Sequence, residues 1–367
     1  MALLVLTACV PTKIIEKVAI INSYGIDAAE EGQIEKTIIA FRFDDEAQNI
    51  ATTLSGTANT VRGAEEDAAN KTSFTLKPGQ IRLVVYGKEI AENGISPYIN
   101  VLVRDARVSS MMYTAISTGT AKEVLTAGQE NTPANIGQYL QDLIEKEIKQ
   151  NTIPDVSFFH FTHALEDTGQ DPILPLLGIR DNKAALIGMA VMDNGKYAGE
   201  ISLKDAFLVN LFQKNIRDKP LEVSISKEPF SDYIEGQLQT DDEQLHISTL
   251  ITDGRTRTKM TDVGGLEFQT EVNLKVNLYE TSEPMRIRDE KAARLLEKEM
   301  EKKITKQYEQ LLASLKETGS DPFGLGNIYR IKKESGKLTE QEWDEKFPEV
   351  TVDFKVNVQL VNYGSVR

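Results

Sequence analysis

Cysteine is all but missing from this chain: Cys9 is the only one in 367 residues. An intramolecular disulfide, a cysteine-based metal site and a Cys-x-x-Cys redox pair are therefore excluded. Histidine is scarce, and no stretch approaches the ~18 consecutive apolar residues of a membrane-spanning helix. Basic charge is short too. With 42 Lys and Arg against 56 Asp and Glu, the net charge is −14, which repels phosphate backbones and anionic headgroups alike. No nucleic acid is expected as a partner, and any membrane attachment has to come from a lipid or another protein.

The usual signatures of chemistry are also missing. There is no Walker A loop, His-Glu-x-x-His or Gly-x-Ser-x-Gly. Gly324-Leu325-Gly326 only opens a dinucleotide fingerprint and follows a helical pattern where a strand is required, so it reads as a helix-terminating loop. In Phe158-Phe159-His160-Phe161-Thr162-His163 a strand would send the two imidazoles to opposite faces and a helix would align them. Without neighbouring ligands in sequence they read as hydrogen-bonded residues at a core edge, and His246 as a strand residue with no partner in sequence. Asp241-Asp242-Glu243 and Glu65-Glu66-Asp67 could pair carboxylates for acid–base work, but in so acidic a chain they read as solvated loops. No catalytic, cofactor-binding or metal-binding residue is assigned.

What is present describes a water-folded body of more than one domain, with 40% hydrophobic and 27% charged residues. Ala2-Leu3-Leu4-Val5-Leu6 runs into Thr7-Ala8-Cys9, small residues before a cysteine, as in a bacterial lipobox. There the thiol takes a diacylglyceryl group, cleavage leaves the cysteine first, and two or more acyl chains give stable anchoring. The run is short for a signal h-region and has no Lys or Arg before it, so residues 1–9 read as a truncated signal remnant.

Strand patterns lie at Val18–Asp27 and Thr37–Phe43. Residues 44–73 lack any apolar period and read as an excursion. Two further strand patterns, Ile81–Tyr86 and Ser110–Ile116, are spaced for a parallel crossover through helices. Pro133–Lys149 places Ile136, Leu140, Leu143, Ile144 and Ile148 on one face of an amphipathic helix. Asn194-Gly195 suits a type I′ turn between strands at Ala185–Val191 and Tyr197–Ile201, followed by a helix over Leu203–Phe212. Beyond Asp218-Lys219-Pro220 come strands at Leu221–Ser226, Tyr233–Gln239, Leu245–Ile251 and Leu266–Tyr279. A long helix over Ile287–Leu315 carries Leu296, Met300, Ile304, Tyr308, Leu311 and Leu315 at helical spacing, and a strictly alternating strand runs from Val350 to Leu360. The predicted fold class is α+β and multi-domain: mixed sheets with flanking helices, and a C-terminal antiparallel sheet covered by one long helix. The boundaries are a mixed α/β domain over 10–178, a hairpin-plus-helix segment over 179–218 and an α+β domain over 219–367.

The remaining motifs resemble those of the C-subunit lipoproteins of spore-germination nutrient receptors, the Ger(x)C family, including the C subunits of GerB-type receptors. They are Cys9 followed by Ile15-Glu16 and Gly25-Ile26-Asp27, then Tyr86-Gly87-Lys88-Glu89-Ile90-Ala91, Arg104-Asp105, and the hairpin between Gly188 and Gly199. The most specific group is Asp321-Pro322-Phe323-Gly324-Leu325-Gly326 with Trp343, Phe347, the final strand and Gly364. After the cysteine, Val10-Pro11 stands where the family usually has Trp-Asp. The resemblance implies a non-enzymatic subunit anchored through Cys9 to the outer face of the spore inner membrane, in complex with two integral-membrane subunits (A- and B-type), that converts nutrient binding into germination. Direct nutrient binding by this chain is not implied. A solute-binding lipoprotein of a transporter and a lipid-anchored cortex hydrolase are the alternative readings.

Overall fold

The computed structural model describes residues 17–42, 50–105, 108–128, 135–235 and 242–362. Cys9, Ile15-Glu16, Asp241 and Gly364 lie outside them. In chain order the elements are β1 (Val18–Ala28), β2 (Ile34–Arg42), β3 (Ile50–Ala58), α1 (Val61–Asn70), β4 (Thr75–Tyr86), α2 (Lys88–Asn93), α3 (Ser96–Val103), β5 (Tyr113–Ser117), α4 (Ala121–Thr126), α5 (Ile136–Lys149) and α6 (Phe158–Glu166). They continue with β6 (Ile173–Arg180), β7 (Lys183–Asp193), β8 (Lys196–Ile201), α7 (Leu203–Gln213), β9 (Lys219–Ser226), β10 (Gln244–Asp262), β11 (Glu267–Thr281), α8 (Glu290–Thr318), α9 (Leu325–Lys332), α10 (Glu340–Lys346) and β12 (Thr351–Asn362). One sheet has the order β3-β2-β1-β4-β5-β6-β7-β8 and a second β12-β11-β10-β9, so the α+β class with flanking helices holds, while the C-terminal sheet, expected to be antiparallel, is mixed because β12 runs parallel to β11.

The chain divides into two compact units. The first takes the described residues of Met1–Ala91, Ile95–Gln141 and Leu177–Ala185. Its β1 is central, antiparallel to β2 and parallel to β4, and β4 in turn pairs parallel with β5. The connection from β4 to β5 runs through α2 and α3, as a parallel pair demands. Of the segment 44–73, residues 50–73 are described and are more ordered than their sequence suggests: β3 pairs along the whole of β2, and α1 follows it. The pattern is invisible because α1 buries Ala64 and Ala68 rather than large side chains. A Cβ on Gly56 would sit 2.1 Å from the Ala64 carbonyl oxygen and 2.4 Å from the Ala68 nitrogen. Small residues let helix and strand touch backbone to backbone.

The second unit takes the described residues of Glu92–Gly94, Asp142–Leu176 and Leu186–Arg367. The β7–β8 hairpin turns through Asn194 and Gly195, both at positive φ (49° and 75°), as the type I′ expectation requires. The β10 and β11 strands form a long antiparallel ribbon, with β9 antiparallel on one side and β12 parallel on the other. The parallel sense of β12 follows from the crossover helix α8 between it and β11. The six stripe residues of α8 are all buried, and the helix stops at Gly319, whose φ of 73° gives a left-handed cap. Glu301 and Glu297 of α8 accept hydrogen bonds from the edge amides of Val358 and Leu360 at 2.9 and 2.8 Å, which blunts β12 against pairing with another strand. Tyr233–Gln239 is not a strand where it is described: residues 233 and 234 end a turn, with a single bridge between Ile234 and Met285, and 236–239 lie outside the described residues.

Gly56→Ala is expected to lower the stability of the first unit by about 1–3 kcal/mol through overpacking, read as the urea midpoint. A midpoint equal to that of the unaltered chain would contradict the close β3–α1 contact.

Candidate functional site

After α8 stops, the chain turns sharply around a carboxylate that has no access to solvent. Asp321 is 0% exposed. Its Oδ1 accepts from the Gly324 amide at 3.0 Å, and its Oδ2 from the Gly326 amide at 2.9 Å and the Trp343 indole N–H at 3.2 Å. Both glycines are required. Gly324 has a φ of 73°, and a Cβ on Gly326 would meet the Trp343 ring at 2.7 Å. The Asp-Pro-Phe-Gly-Leu-Gly motif is thus a cradle in which one side chain fixes the start of α9, and Trp343 closes it while stacking on Tyr329 with ring centroids 5.6 Å apart.

A second carboxylate joins it from far away in sequence. Asp171 accepts from the Asp321 amide at 2.8 Å through Oδ2, and its own amide donates to the Asp321 carbonyl at 3.1 Å. Burial pushes the Asp171 carboxyl up to about 8, helped by the nearby charge of Asp321. Burial also raises Asp321, to about 7, against the opposing pull of its amide and indole donors. Burial disfavours the charged form of both, so each binds a proton more tightly than an exposed aspartate does.

Asp171 borders an open cavity of about 500 Å³ in the second unit. The carboxamides of Gln170, Gln213 and Asn327, the imidazoles of His160 and His163, and aromatic walls from Phe161, Phe212 and Phe323 line it. Helix α6 aligns the two histidines at i and i+3. His160 Nε2 lies 3.5 Å from Asp155, a neighbour that the sequence did not reveal. Among the described residues no group of three or more His, Cys, Asp or Glu could hold a metal ion. Gln170 and Gln213 donate to the Pro322 carbonyl at 3.4 and 2.8 Å, so the floor is held by its own hydrogen bonds. Phe323 packs on Phe212 at 4.4 Å between ring centroids.

His246 does have partners. Its Nδ1 lies 2.8 Å from Ser224 Oγ and its Nε2 2.9 Å from Asp242. Ser224 faces it across the β9–β10 ladder, and the hydrogen bond from His246 holds the exposed Asp242 below the ordinary carboxylate range. Serine, histidine and aspartate meet at triad distances, but none of the three lines either of the two cavities described in this unit. The register of the two strands was the missing signal. In Glu65-Glu66-Asp67, Glu65 pairs with the buried Lys36 at 2.5 Å and Asp67 with Lys71 at 2.6 Å, on a helix rather than a loop.

In the first unit the other motifs form a similar node. Asp27 accepts from the Ala121 and Lys122 amides at 2.6 and 3.0 Å, capping α4. Gly87 passes so close that a Cβ there would lie 2.1 Å from Asp27 Oδ1. Burial raises the Asp27 carboxyl while these amides pull it down.

Comparison with known proteins accounts for nearly the whole length. Residues 11–179 match the family of spore germination protein N-terminal domains, and residues 187–364 match the spore germination B3/GerAC-like C-terminal family. The chain is 26% identical to spore germination protein GerQC of Bacillus cereus over 96% of this chain and 94% of that one. It is 24% identical to spore germination protein A3 of Bacillus subtilis over 99% and 95%. The crystal structure of the GerBC protein shares the fold with a TM-score of 0.56 at 16% identity, covering 92% of this chain and 97% of that one.

Because Asp171 and Asp321 bind protons more tightly folded than unfolded, their contribution to stability is complete below the ordinary carboxyl range and is lost as pH rises toward about 8. Stability of this unit is expected to fall by about 1.4 kcal/mol per pH unit for each proton so released. Asp171→Asn keeps an acceptor for the Asp321 amide and should flatten the slope. Denaturant unfolding across that range reads it, and an unchanged slope in the variant would contradict the assignment.

Proposed function

The chain belongs to the Ger(x)C family of spore-germination receptor C subunits, and from that premise we propose that it is a membrane-tethered, non-enzymatic subunit of a nutrient receptor. Acyl chains on Cys9 hold it at the outer face of the spore inner membrane, and it acts through contacts with two integral-membrane subunits, one A-type and one B-type. The observation that carries this reading is where the motif residues go. Asp27, Gly87, Asp321, Gly324, Gly326 and Trp343 bond to one another and to backbone inside their own units, which commits them to the scaffold.

Three further features support it. Among the described residues no helix is long and apolar enough to cross a membrane, in keeping with attachment through a lipid or through partners. The net charge of −14 disfavours direct adsorption to anionic lipid. A tether raises the effective concentration of the body beside its partners, so modest contact surfaces suffice. Saturable binding of a small nutrient by the isolated chain, for which the cavity of about 500 Å³ beside Asp171 offers room, would promote the solute-binding alternative.

Spores carrying Cys9→Ala provide the test. Release of stored small solutes after a nutrient is expected to slow by about tenfold or more, while release after a trigger that bypasses receptors stays normal. A normal response to both would remove the tether from the account.

A further inference from the structure

Helix α7 presents Leu203, Phe207 and Leu211 at four-residue spacing to a second, apolar cavity in the second unit. Leu274 of β11 and Ile304 of α8 complete its wall. The inner residues are sealed from solvent: Phe207 is 6% exposed, Leu211 0%, Leu274 2% and Ile304 2%. The volume is about 220 Å³. At the mouth the chemistry changes, and two ammonium groups, Lys204 and Lys219, stand there with Glu222 and Gln307.

Those lysines are the notable part of an acidic chain. Among the described residues no carboxylate lies within 4.0 Å of either ammonium. Lys219 is half-buried, donates to Thr152 Oγ1 at 2.7 Å and sits 5.9 Å from the centre of the Phe207 ring. Burial draws its pKa below that of an ordinary lysine, with the more distant Glu147 opposing. A partly desolvated cation at the rim of an apolar slot is stabilised by an anion that brings its own apolar surface.

We propose that this slot binds a single-chain anionic amphiphile, a medium-chain carboxylate whose tail lies between α7 and α8 and whose headgroup meets Lys219 and Lys204. Volume bounds the size: a slot of about 220 Å³ has room for one unbranched chain of several carbons, and octanoate is the probe of middle length. A two-tailed phospholipid is too large. The proposal stands independently of the receptor reading, since it rests only on this cavity and its mouth.

The test is calorimetric titration of the full chain, produced without lipidation, with hexanoate, octanoate, dodecanoate, octan-1-ol and octylammonium. Octanoate is expected to bind at one saturable site, about fifteenfold tighter than hexanoate from two added methylenes. The four extra carbons of dodecanoate should add much less than the same increment per methylene. Octylammonium should bind at least about tenfold more weakly than octanoate, one favourable charge contact being replaced by repulsion. Lys219→Met should reduce octanoate to the affinity of octan-1-ol, and Leu203→Trp, at the half-exposed mouth, should block all tails while the circular dichroism spectrum stays unchanged. No octanoate binding overturns the proposal. So does octylammonium or octan-1-ol binding as well as octanoate, a gain that continues evenly to dodecanoate, or wild-type binding by both variants.

Discussion

A carboxylate with no access to water survives only where donors surround it or a proton neutralises it, and Asp321 meets that condition with the Gly324 and Gly326 amides and the Trp343 indole. Much of the second unit follows from meeting it. The amides converge only if the chain turns through a left-handed Gly324, and the indole reaches only if position 326 has no side chain. Asp171 then fixes the Asp321 amide from 150 residues upstream. With the node closed, Phe323 is held against Phe212 and Tyr308, and Tyr308 donates to the Leu208 carbonyl at 3.1 Å. A polar contact thereby sets the register of an aromatic core.

The first unit uses the same device on a smaller scale. Asp27, 4% exposed, takes the first-turn amides of α4, and Gly87 leaves room for it. The capping box of Thr120 and Glu123 reinforces that helix start. In both units a buried acid anchors a short helix that could not hold its own geometry in water, since so few residues cannot offset the cost of nucleation.

The parts legible in the sequence were those written in periodic large side chains. The alternation of β12, the stripe of α8 and the Asn194-Gly195 turn all appear where their spacing places them. Structure carried by small or polar groups was hidden. Helix α1 packs through alanines against a glycine, and α6 carries an aromatic-rich run equally compatible with a strand. The Asp321 motif was visible as a string of letters, but its partner Asp171 was not, because contact across 150 residues leaves no local period. The pairing of Ser224 with His246 likewise depends on strand register, and the approach of Glu297 and Glu301 to β12 on how a helix lies over an edge.

The proposed role, a subunit that acts through contact with partners, draws on buried acids that hold turns and helix starts, a net charge of −14 and motif residues committed to scaffold. The direct measurement is affinity capture of the tagged chain from detergent-solubilised spore inner membranes. The account predicts that both integral-membrane receptor subunits elute with it in near-equal amounts. Recovery of the chain alone, from spores whose nutrient response is intact, would contradict it.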